Sequence, residues 1–228
     1  RQFYCASSIA AAGCPREHRM RKILGKTLGP SLKALGIIVL VSLAACARSE
    51  SVEVPPDAVV RLSEQFSSDF ALVDQNGQPR TDEDFRGKVA LVYFGFATCP
   101  DVCPLALGTL SAALNELTDK ERAEIVPLFI TVDPERDTPE ALKDYLAFND
   151  SIIGLTGSPA AAQAARTSFK VYARQQRLPD SALGYTMDHT SLFYLVDRKG
   201  QPQLAIHDTV TPQELAEVLR RGIKGRLT

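Results

Sequence analysis

The chain has 228 residues, and its 26 lysines and arginines nearly balance its 27 aspartates and glutamates, leaving a formal charge of -1. That balance excludes the basic footprint of a nucleic-acid-binding protein and gives no electrostatic case for an acidic substrate. Cys5, Cys14, Cys46, Cys99 and Cys103 form neither paired Cys-x2-Cys zinc units nor the dense framework of a small disulfide-stapled domain, so each is read by its position.

Residues 1 to 19 precede Met20 without a periodic pattern and read as an over-long start, which leaves Cys5, Cys14 and His18 without assigned chemistry. From Met20 the chain runs Met-Arg-Lys-Ile-Leu-Gly-Lys, keeps a positive charge at Lys33, and turns apolar from Ala34 to Ala45. That is the order of a signal peptide, and its apolar run falls short of the about 20 residues that a transmembrane helix needs. The closing Leu43-Ala44-Ala45-Cys46 resembles the lipobox of bacterial lipoproteins, in which the cysteine carries the lipid and becomes the first mature residue. The expected organisation is a leader over 1–45, a polar tether over 46–66 and one domain over 67–228, working outside the cytoplasm where free thiols need a reason to persist.

Phe70-Ala-Leu-Val reads as a short strand, and the Asn76-Gly77 turn after it leads toward the strongest strand in the chain. Leu91, Val92, Tyr93, Phe94 and Phe96 form a near-unbroken apolar run, the pattern of a strand buried on both faces at the centre of a sheet. It ends in Ala97-Thr-Cys99-Pro-Asp-Val-Cys103-Pro104, where Pro104 opens a helix. Leu107, Leu110, Leu114 and Leu117 recur at three- and four-residue steps and give that helix one core-facing stripe. Val126 to Val132 is a second buried strand. Asp137 or Thr138 then caps a helix that has Pro139 just inside it. Strand, helix and strand in this order form a β-α-β unit with parallel strands and a right-handed crossover.

Ser158-Pro159 opens an alanine-rich helix. Ser191 to Val196 and Gln203 to Ile206 form a hairpin that adds an antiparallel edge, and Thr211-Pro-Gln-Glu214 is a capping box for a C-terminal helix. The whole order predicts an α/β fold, a thioredoxin-like three-layer sandwich with a mixed central sheet between helices.

Cys99 and Cys103 stand at i and i+4 where strand gives way to helix, so both sulfurs face one side, near a helix N-terminus that favours thiolate. Two thiolates are a soft donor pair suited to Cu(I), and an added imidazole suits either oxidation state of copper. Of the three histidines, His18 lies in the leader and His207 at a strand end, read as a partly solvated residue. His189 precedes the Ser191 strand, whose leading loop faces the cysteine turn in a thioredoxin-like fold, and is the expected third ligand. Met187 offers a thioether but reads as packing.

Asp84-Phe-Arg-Gly-Lys88, the segment Tyr93 to Pro104, Val132-Asp-Pro-Glu-Arg-Asp-Thr-Pro139, Gly154-Leu-Thr-Gly-Ser158 and Asp188-His189 together resemble the Sco/SenC copper proteins, over roughly Phe70 to Ile223. The resemblance implies a membrane-tethered domain that binds one copper ion, Cu(I) or Cu(II), through Cys99, Cys103 and His189. It also implies that the domain delivers copper to the binuclear centre of cytochrome c oxidase subunit II, or to another copper-receiving protein, or keeps that centre's cysteines reduced. Asp133 and Asp188 are candidates for orienting the site, although capping and turn formation account for both. Many relatives use a transmembrane helix where this chain has Cys46.

The rival from another class is a thiol-disulfide oxidoreductase with Cys99 as nucleophile and Cys103 as resolving thiol. Thioredoxins, however, share a two-residue gap and a proline before the facing strand, where this chain has Met187-Asp-His-Thr190. A copper sensor is a third reading, and a peroxidase lacks the neighbouring residues that it uses.

Overall fold

The computed structural model describes residues 52–226. The leader, Cys46 and its lipobox therefore lie outside the described residues. An eight-stranded mixed sheet carries the fold: β1 (Val59–Arg61), β2 (Ala71–Asp74), β3 (Pro79–Thr81), β4 (Val89–Gly95), β5 (Ile125–Thr131), β6 (Ile153–Thr156), β9 (Leu192–Val196) and β10 (Pro202–His207), in the spatial order β1-β10-β9-β4-β5-β6-β2-β3. β4, β5 and β6 run parallel, and the other pairings are antiparallel. β7 (Ala173–Arg177) and β8 (Tyr185–His189) form a separate two-stranded sheet.

All seven residues of β4 are buried. A strand buried on both faces needs cover on both, and the helices provide it. α1 (Val102–Asn115) packs with α5 (Pro212–Ile223), α3 (Pro139–Tyr145) lies on β6, and α4 (Pro159–Ser168) lies on β2. α2 (Asp119–Arg122) is a single turn closed by a Thr118 and Glu121 capping box. The leucine stripe is core: Leu107, Leu110, Leu114 and Leu117 are all buried, and truncating one such leucine to alanine typically costs about 2–5 kcal/mol. Thr138, Ser158 and Thr211 cap α3, α4 and α5, each with proline in the first turn.

Several features differ from the sequence expectation, among them β6, a strand parallel to β5 that the sequence reading does not include. α1 begins at Val102, two residues before Pro104, so Cys103 sits inside the first turn. Val59–Arg61, within the stretch read as tether, pairs with β10, so β10 is not the edge, and Val54, Leu62 and Phe66 also pack on the core. His189 ends a strand, β8, rather than lying in a loop. The polar sequence of its partner Ala173-Arg-Gln-Gln-Arg177 gives no alternation by which the hairpin could be read.

At the end of β4 the chain comes so close to its neighbours that only glycine fits. A Cβ on Gly95 would stand 2.7 Å from the Phe129 ring and 2.9 Å from the Cys103 sulfur. Gly108, exposed on α1, has nothing within 4 Å of the same added atom. Gly95→Ala is therefore expected to destabilise the fold by about 1–3 kcal/mol through overpacking, while Gly108→Ala stabilises it by up to about 1 kcal/mol. Denaturant midpoints of the two variants check the opposed signs; a neutral Gly95→Ala contradicts the close approach.

Candidate metal centre

The fold brings the three expected ligands to one place. Cys99 lies in the turn after β4, Cys103 in the first turn of α1, and His189 at the end of β8. The Cys103 amide donates to the Cys99 sulfur at 3.5 Å, and the Cys103 sulfur stands 3.8 Å from His189 Nε2. The two thiols are not bonded to each other. Cys99 and His189, with Phe96, Pro100, Met187 and Asp188, line a cleft of about 250 Å³. Among the described residues, no three His, Cys, Asp or Glu side chains stand in a preformed metal-binding arrangement, so the triad is a gathered donor set rather than a finished cage.

Neighbouring groups make the two thiols unequal. A hydrogen bond from Cys103 holds the Cys99 thiol down, to about 5, with help from the backbone N–H groups of Cys103, Asp101 and Val102 at the start of α1. The same bond, followed by burial, pushes the Cys103 thiol up. Cys99 is thus the more acidic thiol of the pair. Cys103 is fully buried, whereas Cys99 reaches the cleft with 9% of its surface.

His189 is held in one tautomer. Its Nδ1 lies 2.9 Å from the Thr190 carbonyl, which can only accept, so Nδ1 carries the proton and the Nε2 lone pair is left toward the sulfurs. Its ring meets Phe96 edge-on, with centroids 5.7 Å apart. Below the thiols Tyr93 donates to the Ser191 hydroxyl at 2.7 Å, and Ser191 in turn donates to Asp208 at 2.5 Å. Burial pushes the Tyr93 phenol up, so it remains a donor.

The remaining candidates fall elsewhere. His207 is exposed at the end of β10 and borders a different cleft with Lys170 and Tyr194. Met187 packs against the core, and Asp188 is exposed at the rim of the cleft. Asp133 is buried, accepting from Tyr185 and Arg136. Asp137, a candidate cap in the sequence, instead accepts from the Ala97 amide at 3.1 Å and from the Thr131 hydroxyl at 2.6 Å, leaving Thr138 as the cap. Tyr185 and Arg136 carried no sequence signal beyond the place of Arg136 in the Val132 to Pro139 motif.

Comparison with known proteins identifies the family. The SCO1/SenC family model matches residues 59–224. The SCO2-like protein of Rickettsia conorii is 38% identical over 157 residues, which cover 68% of this chain and 76% of that protein. The mitochondrial protein SCO2 of Saccharomyces cerevisiae is 42% identical over 156 residues, 68% of this chain and 52% of the yeast protein. Among solved structures, copper-bound ScoI of Bradyrhizobium japonicum superimposes with a TM-score of 0.63 at 41% identity, covering 69% of this chain and 99% of that one. Copper-bound yeast Sco1 gives 0.63 at 35% identity, over 70% and 89% of the two chains. The sheet, the helices and the motif order all point the same way, and the chain belongs to the SCO1/SenC family.

Proposed function

We propose that the chain binds one copper ion through Cys99, Cys103 and His189. It delivers that ion to the binuclear copper centre of cytochrome c oxidase subunit II during assembly, or reduces the cysteines of that centre. The approach of the Cys103 sulfur to His189 Nε2, 3.8 Å, carries the reading. Two donors sharing one ion, with bonds of about 2.3 Å to sulfur and about 2.0 Å to imidazole nitrogen as in zinc sites, stand about 3.5–3.7 Å apart at tetrahedral to trigonal angles. The observed spacing is within a small side-chain adjustment of that range. Two thiolates and an imidazole make a soft to intermediate donor set suited to copper, and the relatives solved with copper bound support copper as the cargo.

The residues divide the work. Cys99 offers a ready thiolate, Cys103 gives up its proton as it becomes a ligand, and the Thr190 carbonyl keeps His189 turned inward. Loading is therefore coupled to proton release. A lipid on Cys46 would hold the domain at a membrane of the bacterial cell envelope, on the extracytoplasmic or periplasmic side, with the residues between Cys46 and Val54 as the tether. No helix among the described residues is long and apolar enough to cross a membrane. The second reading, a thiol-disulfide oxidoreductase, is favoured by one observation: the division of the pair into an acidic thiol facing the cleft and a buried partner thiol.

His189→Ala is expected to weaken Cu(II) binding by at least about 100-fold, since even groups behind a ligand are worth 10–100-fold, and to abolish the thiolate-to-Cu(II) charge-transfer band. The dithiol of the variant still closes to a disulfide. Unaltered Cu(II) affinity would sink the ligand assignment, and rapid turnover of a generic disulfide by the metal-free protein would favour the oxidoreductase.

Alkylation of the reduced, metal-free protein tests the thiol asymmetry. Cys99 should react first, at a rate that climbs through pH about 5 and levels off below the ordinary thiol range, with Cys103 protected. Peptide mapping that finds equal labelling, or Cys103 labelled first, contradicts it. For the tether, the mass of the mature N-terminus should show acylated Cys46; an unmodified Cys46 or a start elsewhere removes the anchor.

A further inference from the structure

The loop between β5 and α3 touches both halves of the site, through different residues. On the cysteine side Asp137, fully buried, accepts from the Ala97 amide two residues ahead of Cys99, while its own carbonyl accepts from Thr156 at 2.6 Å. On the histidine side the contact is made by Arg136. Its Nε donates to Asp133 at 2.5 Å, one terminal nitrogen donates to the Tyr185 carbonyl at 3.1 Å and lies 3.4 Å from the Leu183 carbonyl, and its guanidinium carbon lies 3.7 Å from the centre of the Tyr185 ring. Tyr185 closes the circuit by donating its hydroxyl to Asp133 at 2.9 Å.

The position of Tyr185 gives this circuit its meaning. Tyr185 and His189 are the first and last residues of β8, four apart, so they project from the same face of the strand. β8 is hydrogen-bonded only to β7 within its own sheet and takes no ladder bond from the eight-stranded sheet that leads into the cysteine turn. At the His189 end Tyr172 and Thr190 only extend the hairpin's own ladder, and Arg166 of α4 ties it to the rest of the fold by donating to the Ala173 carbonyl at 3.3 Å. At the other end it is tied by Arg136.

We propose that Arg136 is a positioning residue for His189. By gripping the backbone and ring of Tyr185 while paired to the buried Asp133, it sets where strand β8 lies, and so where the imidazole meets the two sulfurs. A planar guanidinium suits this role because it donates to carboxylate and carbonyl in fixed directions while stacking on a ring. A lysine in its place keeps the charge opposite Asp133 but can neither stack nor span the two acceptors.

This inference rests on His189 being a copper ligand, and the test separates the two. Cu(II) affinity is measured by competition titration on the full chain for wild type, Arg136→Gln, Arg136→Lys, His189→Ala and the Arg136→Gln, His189→Ala double variant. If Arg136 acts through His189, Arg136→Gln weakens Cu(II) binding about 10- to 100-fold in the wild-type background and changes it less than about twofold once His189 is gone. Arg136→Lys, which keeps the ion pair should the glutamine variant fail to fold, still loses at least about fivefold. In the metal-free Arg136→Lys protein, amide exchange of 173–177 and 185–189 speeds up while that of β4 and β5 does not.

Equal losses with and without His189 would make Arg136 a general stabiliser, and full retention of affinity in Arg136→Lys would leave only the ion pair; either overturns the inference. An unaltered affinity in His189→Ala marks instead a failure of the ligand reading, and the inference falls with it.

Discussion

A carboxylate taken out of water must be met by donors, and the molecule meets this demand at one point between three strand ends. Asp137 is fully buried where β4, β5 and β6 finish: the Ala97 amide beyond β4 and the Thr131 hydroxyl of β5 donate to its carboxylate, and the Thr156 hydroxyl of β6 donates to its carbonyl. Even so, burial outweighs the donors and pushes its carboxyl up. Removing the Thr156 hydroxyl would leave the buried Asp137 carbonyl without that donor, typically a cost of about 1–3 kcal/mol, and these shared bonds hold the three strand ends together. The turn bearing Cys99 starts from the amide that Asp137 holds.

The unequal thiols follow from that turn. With Ala97 fixed, the chain has only a few residues in which to leave β4 and enter α1, and Cys99 comes to rest against the free N–H groups of the first helical turn. Those N–H groups have no partners within the helix, so a thiolate is a better occupant than a thiol. Cys103, in the first turn of α1, is driven into the space that Gly95 leaves open beside the Phe129 ring. One thiol is therefore made more acidic at the edge of the cleft and the other less acidic in the core. Their difference comes first from the hydrogen bond between them, then from the burial of Cys103 and the helix N–H groups beside Cys99.

How much of this could be read from the sequence depends on the range of each interaction. The buried strand Val89–Gly95, the leucine stripe of α1 and the capping residues Ser158 and Thr211 are local patterns, and they were legible because period and cap act within a few residues, whereas local pattern alone does not choose between Asp137 and Thr138 as the α3 cap. The cysteine pair was legible for the same reason. Val59–Arg61, Ile153–Thr156 and the β7–β8 hairpin were not, being strands of three to five residues whose partners are distant or whose sequence is polar. His189 could be chosen because few histidines compete. Nothing local, however, joins Arg136 to Tyr185 across 49 residues, and the true role of Asp137 shows only once three strand ends converge.

The hairpin that carries His189 raises a question of strength. A two-stranded sheet alone is marginal in water, and β7–β8 shares no ladder with the main sheet, so side-chain bonds and packing must hold it. Neutral hydrogen bonds contribute about 0.5–1.5 kcal/mol each and those to charged groups about 1.5–3 kcal/mol. The bonds of Arg136 and Tyr185 to the loop before α3, with that of Arg166 to the Ala173 carbonyl, thus amount to a few kcal/mol. That is enough to favour one placement strongly, yet far less than the core holds in β4. The result is a cysteine pair held by the interior of the protein and a histidine carried on a hairpin whose far end is held by polar side-chain bonds. The two halves of the candidate site thus rest on supports of unequal strength, so a perturbation of the hairpin can shift the imidazole while leaving the sulfurs in place.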